Sequence, residues 1–344
     1  MAIWNKQNFE ELLERKLNKV LTKNEAEAYY QKYTSARNKL IEEIYGEIAA
    51  AEPDLTRHDS SHIKNVLKRV YHLIDEDSLN AHEIYALGMI VLFHDVGNIK
   101  GRDGHQSKKR VAEIYNKVRG EDHTKYIQER NLILSAVEAH TGRDTNGNVL
   151  DTLKKVDEFS NLEDGEKIRL RELAAILRFG DECEEGPHRT SLYRQELSGE
   201  KGGYSEESLK YHEYSNIANI FIDRGSGRVV ITCHLNYNPI DDPDGSKFKS
   251  SLEVAYGRII KLDEERKYTR YYSNILIPFK KTEVSFQFNI NNLPIENLLI
   301  QKIELEDDIP VPGRNGSPSK SIVSKYPECD ITKVFEKIKA EVES

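Results

Sequence analysis

A histidine and an aspartate stand side by side at His94-Asp95, where the apolar run Gly88–Phe93 gives way to a loop. A neutral imidazole beside a carboxylate offers two good ligand types for a divalent cation. Alone, such a dipeptide is more often a polar helix end, so the weight lies in its surroundings. Upstream, His62 is followed at four-residue spacing by Val66 and Val70, which places its ring over one face of an amphipathic helix. Downstream, Asp181 follows the apolar run Leu173–Phe179 at another helix end. Three helices that each present a ligand type next to an apolar face are how a bundle assembles a metal site inside its core.

Taken together, these segments resemble the HD superfamily of metal-dependent phosphohydrolases. Arg57–Val70 (RHDSSHIKNVLKRV) resembles the first motif helix. Ala86–Gly97 (ALGMIVLFHDVG) resembles the second, down to the glycine after the His-Asp pair. Ala174–Asp181 (AAILRFGD) resembles the last, with a small residue before the aspartate. The resemblance covers Thr56 to Arg189. It implies a first divalent metal held by His62, His94, Asp95 and Asp181. His105, opening GHQSKKRVAEI, and His140, closing LILSAVEAH, resemble the positions that hold a second ion in two-metal members, with Asp95 as the bridge. A loop histidine and a helix-end histidine are the alternative readings of those two. Mixed His and carboxylate ligands suit Mn²⁺, Fe²⁺, Ni²⁺ or Zn²⁺, and Mg²⁺ less well.

The implied reaction is hydrolysis of a phosphoester or phosphoanhydride, of a nucleotide, by a metal-activated hydroxide. Asp95, His58, Lys100 and Arg143 are the candidate catalytic residues. His58, four residues before His62, reads either as a substrate contact, second-shell donor or proton carrier, or as a surface histidine near a helix cap. Phosphate calls for cationic partners, and Lys100, Arg102, Lys108, Arg143 and Arg189 are the substrate-binding candidates. One departure stands out: many HD enzymes carry lysine right after His-Asp-x-Gly, and this chain has Asn98. That puts in doubt any mechanism relying on that lysine, although Lys100 could substitute. Glu182, Glu184 and Glu185 read as a solvated turn rather than as an outer shell of a metal.

The elements that must position these residues are mostly helical. Apolar spacing predicts helices from Asn8 to about Ala50, with Pro53 and Asp54 as a break and Thr56 as the next cap. Further helices are expected from His62 to Leu73, from Ile84 to near Gly97, and over Gln106–Val118, Thr124–His140 and Lys167–Gly180, with Asn98–Gly104 as a loop. No strand is expected before about Leu197. Gly199–Ser205 reads as a linker. Strands then follow at Ile217–Asp223 and Arg228–Leu235 across a glycine-containing turn, a helix at Leu252–Tyr272, a strand at Glu283–Asn289, a loop at Pro310–Ser319 and a last helix at Ile331–Val342. The expected fold class is mainly α: an HD-type helical bundle with a smaller C-terminal α+β unit. The boundaries expected are 1–52 for an N-terminal helical segment packed on the HD unit, 53–200 for the HD domain and 205–344 for the α+β domain.

Composition removes several classes. The net charge of −8 argues against a broadly basic nucleic-acid surface and favours small nucleotides as partners. Apolar runs fall far short of the ~20 residues of a membrane span, so no membrane partner is expected. The N-terminus lacks a basic start and apolar stretch, which gives a cytoplasmic address by default. Cys183, Cys233 and Cys329 are widely spaced, with no CxxC pair and no disulfide framework. Phosphate loops, HExxH and GxSxG motifs are absent from the sequence. Alternatives that stay open are a cyclic-nucleotide or single-stranded nucleic-acid phosphodiesterase and a non-catalytic ligand-sensing HD module. Homo-oligomer formation is open as well.

Overall fold

The computed structural model describes residues 4–51, 58–100, 107–140, 150–190, 206–295, 300, 302–306 and 322–343. The chain divides into two compact units: Met1–Glu184 with Thr269–Ile277, and Glu185–Tyr268 with Pro278–Ser344.

The first unit is helical. It contains α1 (Asn8–Val20), α2 (Lys23–Glu43), α3 (Tyr45–Ala51), α4 (Ser60–Leu73), α5 (Ala81–Phe93), α6 (Lys108–Arg119), α7 (Ile127–Ala139) and α8 (Leu170–Glu182). Helix α5 is its axis. Its sequence, AHEIYALGMIVLF, is apolar on every side, and every residue of it is buried. Helices α1, α2, α4, α7 and α8 all pack against it. Each fully buried Leu, Ile or Met there contributes about 1.5–3 kcal/mol of burial free energy. Close approach is made possible by Gly88: a Cβ there would lie 2.9 Å from the Tyr33 ring and 3.0 Å from that of Phe9. The helix starts on a capping box, with Asn80 Oδ1 accepting from the Glu83 backbone N–H at 2.8 Å and Glu83 Oε2 from that of Asn80 at 3.0 Å.

Helix α4 starts on Asp59, whose Oδ1 accepts from the Ser61 N–H at 2.8 Å. The expected cap, Thr56, lies outside the described residues, as do Pro53 and Asp54. Gly180 lets α8 lie against α4, because a Cβ there would come within 2.7 Å of Val70 Cγ2. The small residue before Asp181 therefore has a packing reason.

Two local expectations are corrected. Ser160–Asn161 (β1) and Lys167–Ile168 (β2) form a two-residue antiparallel pair inside the stretch where no strand is expected. Such a pair is too short to show any alternation. The helix expected to reach Gly97 ends at Phe93, and Val96–Lys100 forms a 3₁₀ turn rather than the end of that helix and the start of an open loop.

A buried polar cluster ties α2, α5, α6 and α7 together. Glu129 accepts from the Tyr85 hydroxyl at 2.5 Å, the Tyr115 hydroxyl at 2.6 Å and Arg119 Nε at 3.1 Å. Arg119 also donates through Nη1 to the Lys32 carbonyl at 3.0 Å and through Nη2 to the Tyr85 hydroxyl at 3.1 Å.

The second unit contains α9 (Glu206–Ile217), β3 (Ala218–Asp223), β4 (Arg228–Tyr237), α10 (Ser246–Tyr272, assigned to this unit as far as Tyr268), β5 (Lys281–Ile290), β6 (Leu293–Pro294), β7 (Ile303–Glu306), α11 (Ile322–Lys325) and α12 (Ile331–Glu343). β3 and β4 pair as an antiparallel hairpin with Phe221 opposite Val230. β4 and β5 are parallel with Val230 opposite Glu283, as a helical connection between them allows. β6 and β7 add antiparallel partners to β5. Alternate residues of β4 (Val229, Ile231, Cys233, Leu235, Tyr237) are buried, which is the period-two pattern of a sheet with one covered face. Tyr214, Tyr237 and Tyr256 are buried, and His212 Nδ1 is bonded to Thr190 Oγ1 at 2.6 Å. The linker Gly199–Ser205 and the loop Pro310–Ser319 lie outside the described residues.

Candidate metal centre

His94 is the C-terminal capping residue of α5, His62 lies in the first turn of α4, and Asp181 lies in the last turn of α8. The three helix ends bring four donor atoms together. His62 Nε2 lies 3.2 Å from His94 Nε2, 3.2 Å from Asp95 Oδ2 and 3.3 Å from Asp181 Oδ1. His94 Nε2 lies 3.2 Å from Asp95 Oδ2 and 3.7 Å from Asp181 Oδ1. Two ligands that bond one ion at about 2.1 Å sit roughly 3.0 Å apart at right angles and roughly 3.4 Å apart in a tetrahedron. Four of the five spacings fall in that range, and the 3.7 Å between His94 and Asp181 corresponds to a wider angle at the ion. His62, His94 and Asp95 are all buried and form a group able to hold a metal ion.

The other ring nitrogens decide the tautomers. His94 Nδ1 donates to the Val91 carbonyl at 2.8 Å, and His62 Nδ1 donates to Glu184 Oε2 at 2.7 Å. A carbonyl can only accept, so the His94 proton sits on Nδ1, and an ionised Glu184 places the His62 proton likewise. Each Nε2 is left with a lone pair. Two imidazole lone pairs and two carboxylate oxygens this close repel one another unless a positive charge lies among them. Burial alone would lower the His94 pKa, but the adjoining Asp95 and Asp181 carboxylates reverse that and push it up to about 10. Burial likewise opposes ionisation of Asp181, and the His62 and His94 rings nonetheless hold it well below the usual carboxylate range. The pocket is thus built to attract a cation, and this donor set fits a divalent transition metal.

Asp95 faces a second way. Its Oδ1 lies 4.0 Å from His140 Nε2 and accepts from Asn98 Nδ2 at 3.3 Å. A separation of 4.0 Å is inside the limit of about 4.2 Å for two ligands on opposite sides of one ion. His140 caps the C-terminus of α7 as His94 caps α5, and its Nδ1 also donates to the carbonyl three residues back, that of Val137. The two rings share one local construction. Thr152 Oγ1 donates at 2.9 Å to the carbonyl of Ala139, the residue before His140, and Arg178 Nη1 reaches Thr152 Oγ1 at 2.8 Å.

The remaining predicted residues are distributed as follows. His58 precedes α4 rather than belonging to it, yet its ring centroid is 5.5 Å from that of His62. Lys108 is exposed in the first turn of α6 and pairs with Glu138 at 2.7 Å. Lys100 closes the 3₁₀ turn after Asp95. Arg189 is buried in the second unit, in the short 3₁₀ turn Pro187–Arg189. Arg102, His105 and Arg143 lie outside the described residues.

Two residues gain roles that their types alone did not give them. Glu184, expected in a solvated turn, is fully buried and bonded to His62. The available signal was its spacing of three from Asp181, which keeps both on one side of a continuing turn. Asn98, at the position of the absent lysine, is buried and bonded to Asp95.

A family model, HD-CE, matches residues 52–243, more than half of the chain. The chain belongs to the HD-CE family. The HD-CE match contains every residue of the cluster, from His62 to Glu184, and runs on through β4. The resemblance to the HD superfamily and the mainly α fold class with a small α+β unit are both borne out. Membership of HD-CE, with a His/Asp cluster able to hold a divalent ion, supports a metal-dependent hydrolase of the HD type. No curated protein and no solved structure matches the chain. Among the described residues no helix is long and apolar enough to cross a membrane.

Proposed function

We propose that this HD-CE chain is a phosphohydrolase that cleaves a phosphoester or phosphoanhydride bond of a nucleotide. The observation that carries the reading is the convergence of His62 Nε2, His94 Nε2, Asp95 and Asp181 at separations of 3.2 to 3.7 Å. A divalent ion bound there would neutralise phosphate charge and supply hydroxide at neutral pH. His62, His94, Asp95 and Asp181 hold the first ion. Asp95 and His140 would hold another, with His105, which lies outside the described residues, as the further ligand the family resemblance implies. His58, beside His62 but outside the ligand set, holds or passes a proton at the edge of the site. Lys100 and Lys108, with Arg102 and Arg143 outside the described residues, are the cations proposed to supply positive charge to the phosphate; Arg189 belongs to the second unit and is not assigned to this site. Manganese is the ion of choice for a first trial, and a cytoplasmic setting fits a nucleotide substrate.

A second reading draws on Asn98. A neutral amide on Asp95 orients that carboxylate but gives no charge to a phosphate, which favours a non-catalytic module that senses a nucleotide. The experiment is a hydrolysis screen with Mn²⁺ against nucleoside triphosphates, cyclic dinucleotides and single-stranded nucleic acid, with metal content measured on the same protein. Turnover that Asp95→Ala abolishes supports the phosphohydrolase and names its substrate class. Metal uptake with nucleotide binding but no turnover supports the sensing module. Turnover surviving in Asp95→Ala would exclude this site as its source.

A further inference from the structure

Among the described residues, His62, His94 and His140 turn Nε2 toward Asp95, and each donates its Nδ1–H elsewhere. His94 and His140 use main-chain carbonyls of their own helices, those of Val91 and Val137. His62 alone uses a carboxylate, Glu184 Oε2 at 2.7 Å. The Glu184 side chain is completely buried, so its charge is kept away from water at a cost that a solvated turn would not incur. Its place is set by the chain itself. The Glu184 N–H donates to the Asp181 carbonyl at 2.9 Å, so Asp181 and Glu184 sit on one turn. From that turn Asp181 Oδ1 reaches His62 Nε2 at 3.3 Å while Glu184 Oε2 reaches His62 Nδ1. One turn of backbone therefore addresses both nitrogens of a single ring.

We propose that Glu184 is a positioning residue of the metal centre, one that fixes the His62 ring and raises its donor strength without touching the ion. The proposal rests on the cluster being a metal site. A carboxylate acceptor makes an imidazole a stronger base than a carbonyl does, because it stabilises positive charge on the ring as Nε2 gives its lone pair away. It also adds a negative charge near the ion while leaving every coordination position free. His62 is on this account the strongest of the three imidazole donors, and the first ion owes part of its affinity to a residue outside its ligand set.

The test is a titration of the full chain with Mn²⁺ and with Zn²⁺ by calorimetry or chelator competition, for wild type, Glu184→Gln and Glu184→Ala. Gln keeps an acceptor oxygen and removes the charge; Ala removes both. The expected loss of affinity is about tenfold for Gln and nearer a hundredfold for Ala. Affinities of Glu184→Gln and Glu184→Ala within twofold of wild type would overturn the role of Glu184 and leave the metal centre standing. A wild type that takes up neither ion would overturn the metal centre itself, which is a separate failure. A second measurement needs no variant: ring ¹⁵N resonances of wild-type His62 should show Nδ1 protonated both with and without metal. An Nδ1 found as the bare nitrogen would overturn the proposal even if the variants do not fold.

Discussion

Two buried polar clusters share the helical unit, and they are built on opposite terms. In one, Glu129 is met by Arg119 and by two phenol hydroxyls, so a single anion faces a guanidinium and further donors. In the other, Asp95 and Asp181 are met by imidazoles whose lone pairs face the same point. The first cluster is complete as folded and holds four helices in register. The second calls for a positive charge from outside, and only a proton or a metal ion can supply it. Both are buried and both perturb the groups within them, so burial and perturbed acidity do not tell them apart. The sign of what is missing does.

Breaking the second cluster should have the largest effect, and on function. On the proposed reading, Asp95→Ala would remove a ligand to the first ion and the carboxylate shared with a second. The expected outcome is a fall in hydrolysis on the order of ten-thousandfold, about 5.4 kcal/mol on the barrier. Addition of Mn²⁺ should raise the melting temperature of wild type and leave that of Asp95→Ala unchanged. Breaking the first cluster should act on stability instead. Glu129→Ala leaves the Arg119 guanidinium buried without its carboxylate, at a cost of about 3–5 kcal/mol by chemical denaturation. Metal affinity of the folded fraction should stay that of wild type; a large loss there would erase the distinction drawn between the two clusters.

Gly180→Val probes how the second cluster is held. The added branches meet Val70, so α8 must retreat from α4 and carry Asp181 away from His62. The expected cost is about 1–3 kcal/mol of stability together with weaker metal binding, read by denaturation and titration. The smallest effect lies in the second unit, where Glu283 takes the balance to the other extreme. One buried carboxylate meets Arg228 at 2.8 Å, Lys281 at 2.8 Å and Lys302 at 2.5 Å. Burial opposes its ionisation, but Lys281, Lys302 and Arg228 bring its pKa down to about 2 from 4.5. A carboxylate depressed in the fold stabilises fully above its unfolded pKa. That contribution should therefore be present above pH 4.5 and fade as the pH falls toward 2. Glu283→Gln should flatten this acid slope, as followed by circular dichroism of the sheet.

What the sequence revealed depended on how far each signal extends along the chain. His94-Asp95 was legible because an apolar run long enough to be a central helix ends on it, and α5 is buried on all sides. His62 and Asp181 were legible for the same reason at the ends of α4 and α8. Glu184 was not, because in Asp-Glu-Cys-Glu-Glu the composition of an exposed turn hides one residue that points inward. Only the path of the chain after α8 decides between them. Asn98 was visible as a departure from an expected lysine, but its bond to Asp95 depends on the 3₁₀ turn, which apolar spacing does not announce. The β1–β2 pair escaped because two residues cannot alternate. The cap of α4 is Asp59, through its bond to the Ser61 N–H, and its type suits that place as well as the threonine the sequence offered.

The main-chain acceptors behind His94 and His140 bear on how this site tolerates genetic change. Every residue type carries a main-chain carbonyl, so those two rings keep their acceptors through any substitution at positions 91 and 137 that leaves the helix intact. His62 has no such insurance: a single codon, that of Glu184, governs its inner face.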